Sequence, residues 1–289
     1  MSGLSLGHRV ATAILLAAIS GAGSRGYAAE PRAVHPELIA SVPAIEPGKP
    51  FILGVRFVID AGWHIYWRNP GGSGLATEVT WKLPEGFRPG PLQWPAPERY
   101  FVKELNETDY GYTREVVLFS EITATSTFPE NEVMAFGAEL LWLACGDEGV
   151  CVPGAATLTL ELSMGTNVPS AQSQRFYEVL NNMPRPRSSA QDFAVVEVSV
   201  GEVRIKAVAP GTFVTFDNGA AAKFFPYEGP VWEVVPSSRD DLSHRVVLQQ
   251  GAVSYEKTAP NGVLSVRVRQ GDNEKAQTVH IQVLASEGP

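Results

Sequence analysis

Cysteine is nearly absent from the chain: positions 145 and 151 hold the only two in 289 residues. Two thiols close one disulfide and nothing larger, and their spacing resembles no zinc site. Long apolar runs are missing as well. Val10 to Ile19 is uncharged and apolar but well short of the roughly 20 residues that cross a bilayer. No later segment is longer or more apolar, so no membrane span is expected in the mature chain. Basic clusters are scarce. Lys and Arg number 23 against 31 Asp and Glu, and the net charge is −8. That balance argues against a nucleic-acid or anionic-membrane partner, since both need gathered positive charge. Arg185-Pro186-Arg187 is too small a group and reads as a solvated linker. No Ser-His-Asp arrangement and no P-loop is found. Asn106-Glu107-Thr108 fits a glycosylation pattern and is read as chance.

The amino terminus carries a different signal. Arg9, the apolar run to Ile19, and small residues ending Ser24-Arg25-Gly26-Tyr27-Ala28 form the three parts of a secretory signal peptide, with Gly26 and Ala28 at −3 and −1. Cleavage is expected near Ala28, leaving a mature chain outside the cytoplasm, where disulfides persist.

Beyond that point the pattern is β. Runs at Phe51–Asp60, Trp63–Trp67, Glu78–Leu83, Glu115–Ile122, Val133–Ala144 and Ala156–Leu162 are separated by turn residues such as Gly71-Gly72-Ser73-Gly74 and Pro84-Glu85-Gly86. Ser170 is a candidate N-cap for a helix over Ala171 to Met183, in which Phe176, Val179, Leu180 and Met183 share one face. Pro184 and Pro186 end it. A second β pattern runs from Phe193 to Leu284. The predicted fold is all-β: two immunoglobulin-like β-sandwich domains joined by a short helical linker. The expected boundaries are a signal peptide at 1–28, a first domain at 29–165, a helical and Pro-rich linker at 166–192, and a second domain at 193–289.

The cysteines sit at a marked place in this pattern. Val133–Cys145 and Cys151–Leu162 read as a hairpin whose connection contains Gly146, Asp147, Glu148 and Gly149. Cys145 and Cys151 would then face each other across its neck. A staple and a redox centre both remain open on the residues alone. A loop this short gives a disulfide only about 2.4 kcal/mol in the chain-entropy model. Asp147 and Glu148 oppose thiolate formation, and no cation is near in sequence. The pair therefore suits a disulfide opened by a partner's thiolate, then a dithiol that reduces the next protein. His64 beside Trp63 and Trp67 raises the question of copper, but a lone histidine in an aromatic strand is more often packed than ligating, and no metal or cofactor is expected. Glu104, Glu107 and Asp109 are read as solvated.

Leu143-Ala-Cys-Gly-Asp-Glu-Gly-Val-Cys-Val-Pro153 resembles the redox loop of the amino-terminal periplasmic domain of the DsbD thiol:disulfide interchange family, including a proline, Pro153, soon after the second cysteine. Trp63-His-Ile-Tyr-Trp-Arg-Asn-Pro-Gly-Gly-Ser-Gly74, Trp81-Lys-Leu-Pro-Glu-Gly-Phe87 and Trp94-Pro-Ala-Pro97 are similar to the two-domain branch linked with suppression of copper sensitivity. The resemblance spans about Pro36 to Met164. It implies an oxidoreductase of the protein-disulfide reductase type, serving processes such as cytochrome c maturation or copper tolerance. Electrons would come from the thioredoxin-like domain of a membrane thiol transporter and pass to a periplasmic disulfide isomerase or another thioredoxin-fold protein. Cys151 would be the exchanging sulfur and Cys145 the resolving one. Asp109-Tyr110-Gly111-Tyr112 matches the family's aromatic cap loop, with Asp109 in place of its usual phenylalanine, so that shielding would fall to Tyr110 or Tyr112. The transmembrane and thioredoxin-like parts of the family are not found in this chain. The alternative is a non-catalytic periplasmic binding module with an inert disulfide.

Overall fold

A computed structural model describes residues 33–103, 105–166 and separate stretches between 176 and 284. The signal-peptide region and most of the expected linker lie outside these residues. The described residues from Ala33 onward fall in one compact unit.

Eleven strands occupy the first part of the described chain: β1 (Val34–Ala40), β2 (Ala44–Ile45), β3 (Phe51–Ile59), β4 (Trp63–Gly71), β5 (Glu78–Lys82), β6 (Phe87–Pro89), β7 (Glu98–Val102), β8 (Glu107–Tyr112), β9 (Glu115–Ala124), β10 (Val133–Gly146) and β11 (Cys151–Met164). They make two sheets. One runs β1-β3-β9-β6; the other runs β2-β11-β10-β4-β8-β7, with β5 also paired to β10. The fold is all-β and immunoglobulin-like. Alternation explains how the sheets find each other. In β3, Phe51, Leu53, Val55, Phe57 and Ile59 are buried, and in β10 Met134, Phe136, Ala138 and Leu140 are. These odd and even sets meet in a single apolar core, where Phe51 stands edge-on to Phe136 at 5.5 Å. Burying a side chain of this size contributes roughly 1.5–3 kcal/mol.

The remaining strands are β12 (Arg185–Pro186), β13 (Ala194–Ser199), β14 (Glu202–Ala207), β15 (Thr212–Val214), β16 (Ala222–Pro226), β17 (Trp232–Val234), β18 (Arg245–Gln250), β19 (Gly262–Gln270) and β20 (Gln277–Val283). They form the orders β12-β20-β19-β15, with β16 on β19, and β13-β14-β18-β17. Phe225 of β16 and Val263 of β19 belong to the same core cluster as Trp67 and Tyr110. Phe225 sits edge-on to Trp67 at 6.4 Å and to Tyr110 at 5.6 Å. Asn69 donates from Nδ2 to the Pro226 carbonyl, and the Arg68 guanidinium lies 4.4 Å from the Tyr227 ring centroid. The expected helix over Ala171 to Met183 lies largely outside the described residues. Four of its members, Phe176, Val179, Leu180 and Met183, pack on Ile39, Val117 and Phe119.

One expectation is corrected here. Residues 109–112 are not a loop but the end of β8, paired on one side with β4 and on the other with β7. Strand alternation divides the four residues between the two faces of the sheet. Tyr110 and Tyr112 go into the core, 1% and 5% exposed, while Asp109 and Gly111 lie on the opposite face of the sheet, where both are also buried. Gly111 is required there, because a Cβ would run into the Ile65 carbonyl.

Candidate functional site

The site is built on the outer face of the larger sheet, where the β10–β11 hairpin closes. The register places Cys145 directly opposite Cys151, and Cys145 opposite His64 of β4 on its other side. Gly146 donates its N–H to the Val150 carbonyl at 2.8 Å, which makes the adjoining 145/151 position a narrow, non-hydrogen-bonded pair, the kind at which Cα atoms approach most closely. The Cα atoms are 4.0 Å apart and the sulfurs are bonded. Gly149 takes the turn with φ +81°, a conformation that costs glycine little. Asp147 donates its amide to the Gly62 carbonyl at 2.9 Å, tying the hairpin tip to the β3–β4 turn. Asp147, Glu148, Val150, Cys151 and Pro153 are exposed.

The two sulfurs differ in access. Cys145 is 4% exposed, whereas Cys151 stands in the outward-facing, exposed set of β11. The cause is position. β11 is flanked on its outer side by only the two-residue β2 at its far end, while Cys145 lies between β11 and β4.

Aromatic residues of β4 and β7 line the buried side. Tyr66 donates its hydroxyl to Cys145 Sγ at 3.1 Å. His64 stacks on Tyr100 with centroids 4.9 Å apart, and stands edge-on to Tyr66 at 5.1 Å. The His64 Nε2 atom is buried without a hydrogen-bond partner. Burial lowers its pKa, with Asp109 and Asp147 pulling weakly the other way, so the imidazole is neutral at pH 7. Tyr66 is pushed up to about 12, first by burial and then by the Asp109 charge, with a Ser73 hydrogen bond opposing. A neutral donor, the Tyr66 hydroxyl, therefore faces the buried sulfur.

Asp109, expected to be solvated, is fully buried. Its Oδ1 accepts the amides of Gly72 and Ser73, both at 3.0 Å, and its Oδ2 accepts the Ser73 hydroxyl at 2.6 Å. This clasp folds the Gly71–Gly74 loop back over β4. Gly74 then lies against the Tyr66 ring so closely that a Cβ would overlap it. The segment packed on the sulfur-contacting tyrosine is thus the glycine-rich loop after β4, with Asp109 as its anchor. Tyr110 and Tyr112 point away: Tyr110 meets Trp67 and Phe225, and Tyr112 donates to the Pro95 carbonyl at 2.7 Å.

Among the described residues no group of three or more His, Cys, Asp or Glu could hold a metal ion. Tyr66 and Ser73 were not singled out from sequence as site residues, and His64 was weighed there only as a copper ligand. The period of two in Trp63-His64-Ile65-Tyr66 was the available signal, since it puts His64 and Tyr66 together on the face opposite Ile65.

The family model described as "Thiol:disulfide interchange protein DsbD, N-terminal" matches residues 30–163. Residues 30–163 belong to the DsbD N-terminal family. They are accordingly a thiol–disulfide interchange domain, and the two cysteines of that domain form the disulfide described above. The N-terminal periplasmic domain of ScsB from Proteus mirabilis is similar in fold, with a TM-score of 0.54 at 16% identity, covering 87% of this chain and 94% of that one. The reduced DsbD N-terminal domain of Neisseria meningitidis is 17% identical, covers 48% of this chain and 91% of that one, and superposes with a TM-score of 0.29. No curated protein sequence matches the chain. Among the described residues no helix is long and apolar enough to cross a membrane.

Proposed function

We propose that this protein relays reducing equivalents in the periplasm through the Cys145/Cys151 pair. A thioredoxin-like domain of a membrane thiol transporter reduces the disulfide, and the resulting dithiol reduces a periplasmic disulfide isomerase or another thioredoxin-fold client. Cys151 is the sulfur that partners attack and Cys145 the one that resolves. The observation that carries this reading is the difference in access: Cys151 is exposed and Cys145 is 4% exposed. An in-line approach to Cys151 Sγ expels Cys145 as the leaving thiolate. The apolar side chain of Val150, next to Cys151 in the chain and 56% exposed, gives an incoming protein a dry contact beside that sulfur.

The wider assignments follow from the same reading. The chain is exported and cleaved near Ala28. Its first sandwich, 29–165, carries the exchange, and a second sandwich, 193–289, reached through a helical linker at 166–192, supports it through the shared Phe225 contact. The loop residues Gly146, Asp147, Glu148, Gly149 and Pro153 shape the docking edge, with acidic charge that keeps the reduced pair as thiols until a partner engages.

Redox equilibration tests the proposal. Incubated with a thioredoxin-fold dithiol of known potential, the pair is expected to share electrons measurably with it. A disulfide that stays oxidised against such dithiols, with a potential below about −300 mV, is a structural one, and the relay reading then fails.

A further inference from the structure

We propose that Tyr66 is a catalytic residue of this exchange: its hydroxyl holds the Cys145 sulfur as that sulfur leaves as a thiolate. The inference rests on the reading that Cys151 is the attacked atom. In the balanced step, a partner thiolate forms a bond to Cys151 Sγ, the Cys151–Cys145 bond breaks, and its electron pair remains on Cys145. No proton and no further reductant are needed at that moment. The charge that develops on Cys145, however, develops in a poor place for it. Cys145 is buried, its cross-strand neighbour His64 has a buried and unpartnered Nε2, and the Asp109 carboxylate acts on Tyr66, which touches the sulfur. Burial and a nearby anion both raise a thiol pKa, and a leaving thiol of higher pKa leaves more slowly.

Tyr66 is the group that opposes this. Its hydroxyl is already 3.1 Å from Cys145 Sγ in the disulfide form, so the donor is in place before charge appears and need not reorganise. A hydroxyl held near pKa 12 does not hand its proton to a thiolate, whose ordinary value is about 8.5; it stabilises by hydrogen bonding alone. Its position is fixed from behind. The Asp109 clasp on Gly72 and Ser73 sets Gly74 against the Tyr66 ring, where only glycine fits. The Gly71–Gly74 loop and Asp109 are in this sense positioning elements for the tyrosine.

The test is Tyr66→Phe in the full chain, read in two ways that need no protein partner. A hydrogen bond to a charged acceptor is worth enough for about a tenfold effect or more. Opening of the disulfide by dithiothreitol is therefore expected to slow about tenfold, and in the reduced protein the ultraviolet thiolate signal of Cys145, isolated in a Cys151→Ser background, is expected to titrate at higher pH. If Tyr66→Phe does not fold, Gly74→Ala displaces the ring by overlap and is read the same way. Unchanged opening rate together with an unchanged thiol titration overturns the proposal. A wild-type disulfide that opens normally with dithiothreitol but never with a thioredoxin-fold protein instead defeats the relay reading and leaves the Tyr66 comparison standing.

Discussion

Replacing Asp109 by alanine removes one acceptor group from three donors at once. The Gly72 and Ser73 amides at 3.0 Å and the Ser73 hydroxyl at 2.6 Å all end on this carboxylate, which is fully buried. Hydrogen bonds to a charged group contribute about 1.5–3 kcal/mol each, but simple addition overstates the loss. Gly72 keeps a second acceptor, the Thr108 carbonyl at 3.1 Å, and residues 71–73 are exposed enough to take up water once released. A destabilisation of about 2–4 kcal/mol is therefore expected, measured by urea unfolding of the oxidised protein. Asp109→Asn retains an acceptor for both amides and loses chiefly the charge, so it is expected to cost only about 1 kcal/mol. Hydrogen exchange gives the local readout: protection of the Ser73 amide should collapse in the alanine variant and survive in the asparagine variant. An alanine cost below about 1 kcal/mol, or equal costs for the two variants, refutes the idea that this carboxylate anchors the loop.

Other perturbations probe other parts of the account. Gly111→Ala drives a Cβ into the Ile65 carbonyl, a backbone atom that cannot swing aside, and should cost about 1–3 kcal/mol or more in thermal or urea melts; a neutral substitution means that β4 and β8 are not this close. Phe225→Ala empties a site between Trp67 and Tyr110 and is expected to cost about 3–5 kcal/mol, lowering the unfolding midpoint reported by the Cys145 region; a midpoint that does not move shows that the two β regions do not share a core. His64 has a folded-state pKa lowered by burial, so the unfolded chain binds its proton more readily. Stability from the neutral imidazole is then complete above the unfolded value of about 6.5 and is lost as pH falls through 6.5 toward the folded value. Urea midpoints at pH 7.5 and 5.5 should differ less in His64→Gln than in the parent, and an unchanged difference contradicts the burial of this ring.

Periodicity and turn chemistry carried the larger features of the fold. The β10–β11 hairpin was legible because a β-rich apolar run ends at Cys145 and another strand pattern resumes at Cys151, with two glycines between. β3 and β9 were visible for the same reason. β6, β7 and β8 were not. Phe87-Arg-Pro89 is too short to show a period, and Glu107-Thr-Asp-Tyr-Gly-Tyr112 carries two acids, a glycine and two tyrosines whose segregation to opposite faces depends on its partners in β4 and β7. That tertiary pairing turned an expected cap loop into a strand. The surroundings of the sulfurs were hidden for a related reason. Tyr66 lies 79 positions before Cys145, and their contact follows only from the β4–β10 pairing. Asp109 looked solvated because its three donors come from a loop more than 30 positions earlier. The cysteines themselves needed no such long-range knowledge, since their contact is closed by the hairpin that contains them.

Trapping with single-cysteine variants addresses the difference in access between the two sulfurs most directly. Cys145→Ser, which leaves Cys151 free on the outer face, is expected to form a stable mixed disulfide with a thioredoxin-fold partner whose resolving cysteine has been removed. Cys151→Ser, with only the buried Cys145, is expected to form little or none over the same period. Capture through Cys145 in preference to Cys151, or through neither, contradicts the account.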